Sequence, residues 1–75
     1  MEKNPSEINE AFYCPITGDV MKEPVIFPDG YTYEKSAIED WIKVHHSSPY
    51  TRQRMEADQG IPNRALKDQI DAVSN

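Results

Sequence analysis

Apolar positions change their rhythm five times along the chain, and each change falls at turn-forming residues. Met1 to about Glu10 is polar with no apolar period, which predicts a flexible leader or linker end over 1–10 and an ordered domain over 11–74. The stretch FYCPITGDVMKEP, Phe12 to Pro24, mixes apolar residues with turn formers and keeps neither the strand nor the helix period. It reads as a structured loop held by Ile16, Val20 and Met21. Val25-Ile26-Phe27 and Tyr31-Thr32-Tyr33 are β-prone runs separated by Pro28-Asp29-Gly30, where proline presets φ and glycine accepts a positive φ, so a β-hairpin follows. Glu34 or Ser36 can then cap a helix from about Lys35 to Val44. Ser36 and Glu39 stand at capping-box spacing, and Ile38, Trp41 and Ile42 recur on one helical face. HHSSPYTRQRM breaks that period and gives a second long loop ending near Met55. Asn63 can cap RALKDQIDAV, whose Leu66, Ile70 and Val73 lie at i, i+4 and i+7. The order loop, hairpin, helix, loop, helix is a small α+β domain without repeats.

Size makes that domain depend on more than its core. A chain of 75 residues buries only about 60% of its unfolded surface. Small domains often add disulfides or a structural metal, but Cys14 is the sole cysteine. With His45 and His46 it falls short of the four ligands that a structural zinc prefers. The two histidines are sequence neighbours, about 100° apart on a helix, and read as chance placements on a solvated helix end. Hydrogen bonds, ion pairs and aromatic packing must hold the loops.

The formal charge of −5 argues against nucleic-acid binding, because Lys and Arg are scattered and Arg52 with Arg54 makes no basic patch. No stretch approaches the length of a membrane span, and MEKNPSEINEA lacks a signal-peptide apolar core. With one free cysteine, this composition is that of a soluble, intracellular chain in a reducing compartment.

Three fragments, CPITGDVMKEPVIFPDGYTYEKSAIEDWI, SPYTRQRM and IPNRALKDQI, stand in one order over about Phe12 to Val73. Together they resemble the U-box, the zinc-free relative of the RING finger found in one class of E3 ubiquitin ligases. The resemblance implies that Cys14 is a small buried hydrophobe and not a metal ligand. The zinc would be replaced by a polar staple, for which Asp19, Glu23, Glu34, Lys35, Arg54 and Asn63 are the candidates. No metal and no cofactor are implied.

Alone, Ile16 and Trp41 read as core residues, Tyr50 as a core edge and Arg52 as a solvated cation. The resemblance assigns them other roles. Ile16, Trp41 and Pro49 fall on the family's shallow groove for the ubiquitin-conjugating enzyme, the E2, with Tyr50 and Thr51 as secondary candidates. Arg52 falls on the arginine that bridges the E2 and its conjugated ubiquitin, a task suited to a planar, permanently charged fork. Catalysis would then proceed by positioning, without a nucleophile of the domain's own. The rival covalent route through Cys14 is poor, because that thiol precedes a proline and has no basic neighbour in sequence to activate it. A U-box-shaped scaffold without ligase activity is the alternative. Substrate selection would lie in other domains of the parent protein, and the resemblance leaves open a homodimer. Two positions depart from the usual pattern: Ser48 stands where an acidic residue often precedes the proline, and Gly18 where a larger apolar residue is common.

Overall fold

A computed structural model describes residues 10–74, so the leader expected over 1–10 lies, Glu10 apart, outside the described residues. A short 3-10 turn, Glu10–Phe12, leads into the first loop. Strands β1 (Pro24–Ile26) and β2 (Thr32–Glu34) form the expected hairpin, with Val25 opposite Tyr33. They begin and end one residue away from the expected runs because Phe27 and Tyr31 already belong to the turn. There the Phe27 N–H donates to the Tyr31 carbonyl at 3.0 Å and the Gly30 N–H to the Phe27 carbonyl at 2.9 Å. Gly30 has φ 86°, a left-handed conformation that glycine adopts without a Cβ penalty.

Helix α1 spans Lys35–His45 and buries Ile38 and Ile42, while Trp41 is half-buried on the same face. Glu34 is its N-cap, but neither Glu34 nor the Ser36–Glu39 spacing supplies a side-chain cap. The Glu34 carboxylate is turned instead toward the first loop. Beyond the second loop a capping box of Glu56 and Gln59 closes a 3-10 turn at Ala57–Gln59. Strand β3 (Ile61–Pro62) then joins β1 in antiparallel register, giving sheet order β2-β1-β3. The sequence carries no sign of this third strand, because two exposed residues, one of them proline, show no period. Proline is tolerated there because β3 is an edge strand. Gly60 lets it approach, since a Cβ at that position would meet the Phe27 ring at 2.6 Å.

Helix α2 (Arg64–Ser74) carries the expected stripe: Ile70 is buried, and Leu66 and Val73 are partly buried against the core. Asn63 caps it, its Oδ1 accepting from the Leu66 N–H at 3.2 Å, and its Nδ2 donates to Thr32 Oγ1 at 3.2 Å. The core comprises Phe12, Cys14, Met21, Val25, Phe27, Tyr33, Ile38, Ile42, Met55 and Ile70. Every element and both loops contribute to it except the 3-10 turn at Ala57–Gln59 and β3, which pairs with β1 at the sheet edge.

Candidate functional site

Two loops flank α1, and each is closed by an isolated antiparallel bridge, Tyr13 with Val20 and Ser47 with Arg54. In the first loop, the Cys14 N–H donates to the Asp19 carbonyl and the Gly18 N–H to the Cys14 carbonyl, both at 2.8 Å. The second bond is made with Gly18 at φ 77°, which accounts for glycine at this position: there is open space for a larger side chain, but not the backbone conformation. Cys14 is fully buried as expected, but it is also an acceptor: its Sγ takes the N–H groups of Ile16 and Glu34, each at 3.3 Å. The Glu34 carboxylate in turn accepts the Lys22 and Glu23 N–H groups at 2.7 and 2.8 Å. One thiol and one carboxylate thus gather four backbone donors.

The second loop is organised around Ser48, the one buried polar residue among those described. Its hydroxyl donates to Asp29 Oδ2 at 2.7 Å and accepts from the Tyr50 and Thr51 N–H groups, both at 2.9 Å. The same Asp29 oxygen accepts the Tyr33 hydroxyl at 2.7 Å, tying the hairpin turn to the loop. An acidic side chain at 48 would set a second carboxylate against Asp29, so serine before Pro49 is matched to the aspartate of the turn. Burial first, and the Asp29 hydrogen bond second, push the Tyr33 phenol far above its ordinary range. Among the proposed staple residues, Glu34 and Asn63 bind through their side chains. Glu23 contributes its backbone, with its carbonyl accepting the Lys35 N–H at 3.0 Å, and Asp19 likewise serves through its carbonyl. Arg54 instead pairs with Glu56 on the surface at 2.9 Å.

The second loop and the end of α1 enclose an open depression lined by Trp41, His45, Ser47, Ser48, Pro49 and Arg52. Three of the residues singled out in the sequence, Trp41, Pro49 and Arg52, therefore share one surface feature. The indole Nε1–H donates to the Ser47 carbonyl at 2.8 Å, and its ring stacks on His45 with centroids 3.8 Å apart. Arg52 is exposed, and its guanidinium makes no hydrogen bond or ion pair among the described residues. Its backbone sits at φ 68°, held by its N–H to the Ser48 carbonyl at 3.1 Å. Ile16, Tyr50 and Thr51 do not line the depression. Ile16 is half-buried against the core. Tyr50 is 52% exposed, stacks on Tyr31 at 4.2 Å and faces the buried Tyr33 ring at 6.4 Å, so it lies over the rim of the core. The Thr51 hydroxyl is engaged with Gln53 at 3.0 Å. Among the described residues no group of three or more His, Cys, Asp or Glu side chains is placed to hold a metal ion.

This architecture has relatives. The chain superimposes on the solution structure of the RING finger-like domain of retinoblastoma binding protein 6 with a TM-score of 0.81 at 25% identity, over 91% of this chain and 78% of that one. It is 51% identical over 55 residues to U-box domain-containing protein 51 of Arabidopsis thaliana, covering 73% of this chain and 7% of that protein. It is 49% identical over 63 residues to the human WD repeat, SAM and U-box domain-containing protein 1, covering 83% of this chain and 13% of that protein. The chain thus spans a small fraction of the length of these relatives. A U-box domain model matches residues 8–74, nearly the whole chain, and with the two metal-free loop staples in view the chain belongs to the U-box family.

Proposed function

We propose that this domain is the E3 ubiquitin ligase module of a larger protein, recruiting a ubiquitin-charged E2 and favouring transfer of ubiquitin to a substrate lysine without a covalent intermediate of its own. The observation that carries the reading is the shared depression of Trp41, Pro49 and Arg52 on a U-box fold. Trp41 and Pro49 offer apolar contact, with Ile16 on the neighbouring loop, and Tyr50 and Thr51 beside them extend the surface. An anchor of this kind contributes on the order of 1–3 kcal/mol when buried, which suits a transient encounter. Arg52 is the positioning charge. Its guanidinium makes no hydrogen bond or ion pair among the described residues, and its five donors suit holding the conjugated ubiquitin against the E2. The substrate amine then attacks the thioester carbonyl, the C–S bond breaks with the E2 cysteine leaving as a thiolate, and an amide forms as the amine gives up its proton. The domain's contribution is to populate the arrangement from which that attack proceeds.

Substrates would be brought by other parts of the parent protein, and the work would be done inside the cell, where charged E2 enzymes are. Cys14 takes no part, because its sulfur is buried and already accepts two N–H groups. A second copy would pair through the sheet face on which the cross-strand neighbours Ile26 and Ile61 are both exposed.

The test is a reconstituted reaction of E1, ubiquitin and a panel of E2 enzymes. Wild-type domain is expected to build chains with some of them. Ile16→Ala should lose E2 binding, whereas Arg52→Ala should retain binding and lose most of the rate. Absence of chain formation with every E2 would replace the ligase reading with that of a binding scaffold.

A further inference from the structure

The imidazole of His45 has a use that its sequence position conceals. Trp41 and His45 are one turn apart on α1, and their rings stack with centroids 3.8 Å apart and planes 28° from parallel. The indole is therefore fixed twice, at its Nε1 edge by the Ser47 carbonyl at 2.8 Å and across a face by His45. His45 also lines the depression directly, together with Pro49 and Arg52. A half-buried tryptophan without these restraints would sample several rotamers, and ordering it on docking would cost affinity.

We propose that His45 is a positioning residue for partner docking: its stack on Trp41 presets the indole in the orientation that the E2 meets. This rests on the ligase reading above. His46 has no such part. It leaves the helix at φ 55°, and its N–H closes the last turn on the Ile42 carbonyl. Arg52 is the charged residue that lines the depression together with His45.

Trp41 is the chain's single tryptophan, so all tryptophan emission reports this one place. Loss of the stacked ring in His45→Ala should free the indole, lowering its emission anisotropy and shifting its emission to longer wavelength as its face meets water. His45→Phe and His46→Asn, which tolerates the left-handed cap, should both keep the wild-type anisotropy. In the ubiquitylation assay, His45→Ala should raise the E2 concentration for half-maximal rate about 3- to 10-fold with little change at saturation. His45→Phe, which restores a stacking ring, should recover most of that loss. Thermal melts of each variant separate these effects from unfolding.

Wild-type emission anisotropy in His45→Ala, or wild-type E2 dependence in that variant, overturns the proposal. If the wild-type domain engages no E2, the ligase reading falls by itself, and the emission anisotropy of the free domain still decides whether His45 holds Trp41.

Discussion

The first loop is held through backbone donors and the second through a side-chain hub. Around the first, Cys14 Sγ and the Glu34 carboxylate accept only backbone N–H groups, so Lys22 and Glu23 are secured while their side chains stay exposed. In the second, one buried hydroxyl, that of Ser48, links the Asp29 carboxylate to two N–H groups of the loop itself. The difference concerns tolerance. A staple made of backbone donors permits side chains to change along the loop it holds, whereas a side-chain hub makes one residue indispensable to the placement of Pro49 and Arg52.

The largest expected effect therefore belongs to Ser48→Ala. It removes one donor from Asp29 and leaves the Tyr50 and Thr51 N–H groups without their acceptor, a loss of about 2–3 kcal/mol. Urea unfolding would measure it, and a loss below that of any first-loop variant would reverse the comparison. Glu34→Gln should cost about 1–2 kcal/mol, because an amide offers one acceptor oxygen where the carboxylate uses two. Its ubiquitylation rate should fall less than that of Ser48→Ala, since the second loop stays intact.

Tyr33→Phe should cost about 1 kcal/mol at neutral pH through the lost bond to Asp29. The same variant also separates the loops by pH. The folded-state phenol is raised above its unfolded value of about 10, so its neutral form stabilises the fold fully below that pH. Stability should fall as pH rises above about 10 and through the higher folded value, and equilibrium unfolding of Tyr33→Phe should lack that component. Arg52→Gly carries the opposite sign: removing a Cβ at φ 68° should stabilise the fold by about 0.5–1 kcal/mol while sharply reducing ligase rate. A melting temperature that rises with activity preserved would show that the guanidinium is dispensable. Addition of EDTA should leave the melting curve in place, and a drop would overturn the metal-free account of both loops.

Much of this was legible in residue patterns. Ile38, Trp41 and Ile42, and then Leu66, Ile70 and Val73, marked the two helices because burial repeats with the helical period. Pro28-Asp29-Gly30 marked the turn because only certain residues take those backbone angles. The staples were harder to read, since hydrogen bonding over long sequence separations leaves no period. Asp29 was visible as a turn former and Ser48 as a helix breaker; that they meet at 2.7 Å depends on how α1 packs between them. Cys14 was read for burial and also accepts hydrogen bonds, a use that weak sulfur acceptors rarely advertise. Of the candidate site, Trp41, Pro49 and Arg52 converge as neighbours in one depression, whereas His45 looked like an accident of a solvated helix end. Adjacent histidines suggested metal ligation or nothing, and ring stacking at i, i+4 spacing was the signal that could have separated His45 from His46.

The sulfur, carboxylate and hydroxyl groups that close the two loops also bear on how the protein is made. All of them belong to the chain, so both loops close as the polypeptide folds. That closure is unimolecular, and its rate does not depend on protein concentration.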